Sequence, residues 1–239
     1  MSAVARRAGV TFGFLSIAVL ALTSGCKAMP TTHYYVLEPR AGASDDVGAG
    51  LTVGVLPFEV DPPYDQDRIV YRIGADSPKV GFYEYHRWAA PLSRMLPRIV
   101  SAAFRDVEGV RRIEPVASGH RYDVRLYGRV ITLEEVDTAG GQHVRMDLVL
   151  TLIGSDGSTL WSAAASGRSD TSADTVEEFV TQTRAVAERV FADQREGFAR
   201  ALASAGQSSS TSSSSPLKRK FRRVAETSTS VSMRLPPRK

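Results

Sequence analysis

YDVRLYGRVITLEEVDTAGGQHVRMDLVLTLIGSDGSTLWSAAAS, residues 122–166, decides the fold. In its first third Val124, Leu126 and Val130 alternate with Arg125, Tyr127 and Arg129. In its second third Val144, Met146, Leu148, Leu150 and Leu152 alternate with Arg145, Asp147 and Thr151. A period of two places successive side chains on opposite faces of a sheet, so one face is apolar and the other polar. Thr138-Ala139-Gly140-Gly141 supplies the turn between the two strands, and Gly154-Ser155-Asp156-Gly157 leads into a third at 159–166. The stretch is therefore a three-stranded antiparallel meander with one greasy face. Glu134 and Glu135 read as charge on the rim of a strand end.

Outward from the meander, residues 51–60 (LTVGVLPFEV) form a mostly apolar strand that Asp61-Pro62-Pro63 ends. Residues 68–73 and 80–85 flank the turn cluster GADSP and read as a hairpin. Residues 34–37 and 110–116 are shorter strand-like runs. Between residues 88 and 104 the period changes. Trp88, Leu92, Met95, Leu96, Ile99, Val100 and Phe104 recur at three- and four-residue steps, which is one apolar helical face. Pro97 lies inside that face and is expected to kink or split the helix. Asp174, with Glu177 at the reciprocal capping position, is expected to open a last helix. Its apolar face, from Val176 through Phe198 to Leu202, runs to about residue 205. The predicted class is α+β, a two-layer α/β sandwich with an antiparallel-rich sheet packed by two amphipathic helices. The globular domain spans 51–206, and 26–50 hold a first short strand and a flexible linker.

The chain has 239 residues and a formal net charge of +4, but the positive charge sits at the ends. Residues 26–206 hold 20 Lys or Arg and 25 Asp or Glu, a balance of −5. A body of that sign is a poor nucleic-acid binder. Arg6 and Arg7 precede fifteen uncharged residues, 8–22. That run falls short of the ~20 residues of a membrane span and suits an export signal over 1–25. Leu22-Thr23-Ser24-Gly25-Cys26 resembles a bacterial lipobox, with the only cysteine of the chain at the acylated position. Thr23 stands where the usual pattern has Leu. Lipidated Cys26 would hold the body within ~27 Å of a bilayer, the reach of an eight-residue tether. Residues 207–239 combine a serine run with Lys218-Arg219-Lys220-Phe221-Arg222-Arg223 and read as a disordered basic tail.

Catalytic chemistry is hard to find. No GxSxG, Walker or GxGxxG motif occurs, and the four histidines show no metal-ligand spacing. His86 with Glu84 and Arg87 reads as a chance trio at a strand-to-helix corner. Asp61, Asp65 and Asp67 lack the spacing of a calcium loop and read as solvated. Neither a cofactor, a metal site nor catalytic residues are expected. What stands out is aromatic: Tyr34, Tyr35, Tyr71, Phe82, Tyr83, Tyr85 and Trp88 crowd the first half, either as core or as a partner-facing surface, with Tyr34, Tyr35, Tyr71, Tyr83 and Trp88 as the interface candidates.

HYYVLEP at 33–39, LTVGVLPFEVDPPYDQDRIVYRIG at 51–74 and YEYHRWAAPLSRMLPRIVSAAF at 83–104 follow the lipobox-like cysteine in order. With the meander and closing helix after them, the chain resembles the ABC-type transport auxiliary lipoprotein family over roughly residues 20–203. The resemblance implies a non-enzymatic subunit of a lipid-transport machine. Its partners would be a mammalian-cell-entry (MCE) protein and its permease and ATPase. A homo-oligomeric ring is also implied. Location would be the outer membrane facing the periplasm, with Lys27 lacking the Asp that retains enterobacterial lipoproteins in the inner membrane. The rival readings are a structural adaptor for cell wall or an envelope secretion complex, and a periplasmic hydrolase without a recognisable motif.

Overall fold

The computed structural model describes residues 30–40, 50–171 and 175–212, the last five of these as helix backbone only. Among the described residues the order is β1 (His33–Tyr35), β2 (Leu51–Val55), β3 (Glu59–Val60), β4 (Arg68–Ile73), β5 (Val80–Trp88) and α1 (Leu92–Phe104). Then come β6 (Val110–Pro115), β7 (Val124–Thr138), β8 (Gly141–Gly154), β9 (Thr159–Asp170), α2 (Val176–Asp193) and α3 (Arg195–Ser212). The export segment, Cys26 and residues 213–239 lie outside the described residues; the first six residues of the tail expected over 207–239 continue α3 to Ser212 rather than being unstructured.

The architecture is α+β. The meander forms as its alternation dictates: β7 pairs antiparallel with β8, and β8 with β9, along nearly their whole lengths. The opposite edge of β7 is shared by three short strands, each parallel to it. β2 pairs at Val124–Leu126, β3 at Arg129–Val130 and β4 at Glu135–Asp137. β5 returns antiparallel to β4, β1 adds parallel to β5, and β6 adds parallel to β2. The sheet is thus mixed, with its longest ladders antiparallel.

The apolar face of the sheet packs against the helices. Leu126, Val130, Met146, Leu148, Leu150 and Leu152 are at most 1% exposed, and with Ile99, Phe104, Phe179, Phe191 and Phe198 they form one core. Burying a side chain of this size is worth roughly 1.5–3 kcal/mol. Tyr127 and Ile131, on β7, remain exposed.

Four local expectations are corrected. Trp88 ends β5, and the helix starts at Leu92 with Pro91 as its cap residue. Pro97 lies within one continuous helix rather than splitting it. A proline at this position leaves the Ser93 carbonyl without its helical donor, and the Phe58 N–H fills that role from the β2–β3 connection at 2.9 Å. The last helix is two: α2 ends at Asp193, capped by Gln194, and α3 begins at Arg195, so three helices pack on the sheet among the described residues. Thr175 is the N-cap of α2, its hydroxyl accepting the Glu178 N–H at 3.2 Å. Asp174 lies outside the described residues. The one-residue shift in register releases Glu177 from capping for another contact.

Candidate functional site

β1 is an edge strand of three residues, and its alternation gives it two unlike faces. Tyr34 and Val36 point outward, 65% and 51% exposed. His33 and Tyr35 face the other way, toward β5 and α2. Parallel register sets His33 opposite His86, Tyr34 opposite Arg87 and Tyr35 opposite Trp88. The Tyr35 hydroxyl donates to Glu177 Oε1 at 2.7 Å and lies 2.7 Å from His86 Nδ1. A phenol has one proton, so both contacts are satisfied when His86 Nδ1–H donates to the phenol and the phenol donates to the carboxylate. Burial first, then the hydrogen bond and negative charge of Glu177, push the Tyr35 phenol well above its ordinary value. In return the Tyr35 hydrogen bond, helped by a backbone N–H and the nearby His86 and His33, holds the Glu177 carboxyl below its ordinary value.

Rings continue from this triad across β5 to β4. His33 stacks on His86 at 5.3 Å, Tyr83 meets His86 edge-on at 5.6 Å, and Tyr71 lies 5.0 Å from Tyr83. Such pairs contribute ~0.5–1.5 kcal/mol each beyond area burial. Tyr71 reaches Tyr83 by lying flat over Gly81, where an added Cβ would come within 2.3 Å of its ring. The Tyr83 hydroxyl donates to Glu135 Oε1 at 2.7 Å.

Of the five aromatic residues singled out in the sequence, the fold brings Tyr35, Tyr71 and Tyr83 into one half-buried rim. Tyr34 is on the solvent side of the same edge. Trp88 is a core residue, 4% exposed and 6.4 Å from the Phe179 ring. His86 is not a catalytic trio with its sequence neighbours: Glu84 is exposed, and Arg87 pairs with Asp67 at 2.7 Å. Asp61 takes both forks of Arg129, at 2.8 and 3.0 Å. Two of the three loop acids are therefore in ion pairs. Among the described residues no group of His, Cys, Asp and Glu is placed to hold a metal ion, and no helix is long and apolar enough to cross a membrane.

Sequence reasoning misplaced Glu134 and Glu135. They are 0% and 2% exposed. A bulge at Ile131, where Val130 pairs Leu148 and Thr132 pairs Asp147, shifts the alternation by one. Glu134 thereafter faces away from the helices, covered by the residue 61–67 loop. Its carboxylate takes Arg72 Nε at 2.8 Å and Nη2 at 2.9 Å, and the Tyr64 hydroxyl at 2.8 Å. The bonds to Glu134 hold the Arg72 guanidinium above its ordinary value. Burial and the bond to Glu134 raise the Tyr64 phenol. A pair of acids inside a strongly apolar strand, with Arg72 and Tyr64 on neighbouring elements, was the available signal.

Fold and rim together define an α+β domain with a candidate surface of stacked rings and paired polar groups along β1, β5 and β4. The chain belongs to the family of ABC-type transport auxiliary lipoprotein components, whose pattern matches residues 35–210. No curated protein matches the sequence. Among solved structures, protein XCC0632 from Xanthomonas campestris superposes with a TM-score of 0.58 at 17% identity, over 75% of this chain and 99% of its own. An uncharacterized protein superposes with a TM-score of 0.50, also at 17% identity, over 72% and 98%. At such identity these neighbours show a shared fold.

Proposed function

We propose that this chain is the non-enzymatic docking subunit of an ABC-type intermembrane lipid-transport system, anchored through acylated Cys26 in the outer membrane and facing the periplasm. Its partner is the periplasmic MCE protein, whose permease and ATPase supply the energy. Membership of the transport auxiliary family is the observation that carries this reading. The aromatic edge supports a docking role: Tyr34 on β1 and Val36 just after it face outward, and β1 begins seven residues after Cys26. Large aromatic side chains anchor protein interfaces well, because they bury area at low entropic cost.

The test is co-purification of the full chain with the MCE protein encoded beside it. Tyr34→Ala and Tyr71→Ala should weaken capture while circular dichroism stays native. Absence of affinity for any such MCE protein would remove the reading. Retention on isolated cell wall instead would favour a structural adaptor.

A further inference from the structure

The β2–β6 end of the sheet carries a second constellation that the docking reading does not use. β6 pairs with β2, and the register slips between Leu51 and Thr52: Leu51 is opposite Val110, but Thr52 is opposite Arg112. Arg111 is the extra residue of this bulge. A bulge of this kind re-aims a side chain, and here it sets two consecutive arginines on one side of the strand while Val110 and Ile113 stay in the core. Arg111 Nη2 is fixed by the nearly buried Thr52 hydroxyl at 2.7 Å. Arg111 and Arg112 line a cleft of about 410 Å³ together with Thr52, Glu114, His120 and Arg121.

The opposite wall is built as firmly. Tyr122 lies over Gly54, where a Cβ would come within 2.6 Å of its ring. Its hydroxyl accepts the Ala117 N–H at 2.9 Å, tying down the loop that presents Gly119, His120 and Arg121. Gly119 has φ of +83°, the left-handed region that glycine enters without strain.

The charges do not cancel. Two carboxylates face the three guanidinium groups, and each is already engaged. Glu114 Oε1 meets His120 Nδ1 at 3.0 Å, the Tyr122 hydroxyl at 3.5 Å and Arg112 at 3.9 Å. Asp123 Oδ2 accepts the Thr52 N–H at 2.7 Å and stands 3.8 Å from Arg111. Arg121 has neither a hydrogen bond nor an ion pair among the described residues. Three arginines line the cleft against these two acids, inside a body whose balance is −5. A local excess of that sign, in a cleft at the small end of the ~300–1,000 Å³ ligand range, suits an anion.

We infer that the Arg111–Arg112–Arg121 cleft binds a phosphate ester, the guanidinium forks holding its oxygens and the remaining volume taking a small ester group. Guanidinium geometry matches phosphate in this bidentate manner. The inference does not depend on the MCE partnership. The source of the phosphate is either a phospholipid headgroup or a soluble ester.

The experiment uses the full chain, purified in a detergent without phosphate, so that the basic tail is present in every sample. Native mass spectrometry and calorimetry follow titration with inorganic phosphate, glycerol 3-phosphate, dihexanoyl phosphatidylglycerol and a Glu-rich peptide. Arg121→Ser touches no partner in the fold and serves as the conservative variant; Arg111→Ser with Arg121→Ser is the stronger one. Phosphate esters should bind the wild type, and affinity should fall about tenfold or more in the double variant, the scale of lost charge-assisted bonds. Binding of the lipid and glycerol phosphate alike identifies the headgroup phosphate as the ligand; binding of the lipid alone assigns the site to membrane lipid. Equal binding by wild type and both variants would place the anion on the tail and overturn the inference. Capture of the acidic peptide without any phosphate ester would overturn it too, in favour of a protein partner.

Discussion

Arg72→Ala is the sharpest probe of the buried network, because it leaves Glu134 in place without its cation. Glu134 is fully buried, and Arg72 reaches it with two nitrogens, at 2.8 and 2.9 Å. Removing one member of a buried pair leaves an uncompensated charge and costs ~3–5 kcal/mol. For a domain of this size each kcal/mol moves Tm by ~2–4 °C, so the expected drop is about 6–20 °C. Urea denaturation should give the same loss as a shift in midpoint at unchanged slope. The partner experiment replaces both groups, with Arg72→Met and Glu134→Leu together. It should recover most of the loss, since an apolar pair of similar volume is often neutral relative to a buried salt bridge. A single variant that loses less than ~1 kcal/mol, the scale of an exposed pair, would refute the claim that Arg72 and Glu134 form a desolvated pair.

Tyr35→Phe removes the hydroxyl shared by His86 and Glu177 and should cost about 0.5–1.5 kcal/mol by urea denaturation near neutral pH. Because the folded Tyr35 phenol is raised, the unfolded chain ionises first, so wild-type stability should fall as pH rises above the ordinary value of 10.0, a loss that the variant lessens. The Glu177 shift has the opposite sign: its contribution is present above the ordinary 4.5 and is lost as pH falls through the lower folded value, and Tyr35→Phe should shrink that acid loss too. Trp88→Ala should cost ~3–5 kcal/mol as a core truncation, whereas exposed Tyr34→Ala should stay within ~0.5 kcal/mol; thermal melts of the two decide this. Cys26→Ser should release the protein from the membrane fraction and abolish acylation, read by fractionation and mass spectrometry.

Local pattern was enough for the meander, for the apolar stripes of the helices and for the presence of strands at β2, β4, β5 and β6. Each depends on side chains within one element. What escaped depends on partners distant in sequence. The parallel pairing of β2, β3 and β4 along one edge of β7 joins residues 53 and 124, or 71 and 135, which no local period encodes. After the Ile131 bulge Glu134 and Glu135 still point to opposite faces of β7, and both are buried because Tyr64 and Arg72 cover one and Tyr83 the other, partners that no strand period encodes. Pro97 was read by its effect on an isolated helix, while the Phe58 N–H that takes the Ser93 carbonyl comes from another segment. The break at Gln194 was hidden because Phe191 and Phe198 both point into the core, and the apolar face continues through it. At the site, aromatic composition picked out Tyr35, Tyr71 and Tyr83, but their partners Glu177 and Glu135 looked like surface charge. The arginine cleft was invisible for a similar reason: its two adjacent arginines share a side only through a bulge.

The two proposed surfaces occupy opposite ends of the strand order, which runs β1-β5-β4-β7-β2-β6. Both branches leave the same edge of β7, with Gly54 opposite Arg125 and Tyr71 opposite Glu135; about ten residues of strand at ~3.3 Å each separate them by roughly 33 Å along β7. That distance has an energetic consequence. Sites farther apart than ~7–10 Å with no shared partner contribute independently. Tyr34 and Arg121 share none: Tyr34 stands outside the ring ladder, and Arg121 stands on the loop held by Tyr122. Tyr34→Ala should therefore weaken MCE capture without changing phosphate-ester affinity, and Arg121→Ser should do the reverse. The double variant should show the sum of the two losses to within ~0.5 kcal/mol in each assay. A larger coupling would mean that the partner covers both edges at once, since the rigid core of β4, β7 and β2 lies between them. In that case the cleft belongs to the docking interface, and its arginines meet an acidic partner surface rather than a phosphate.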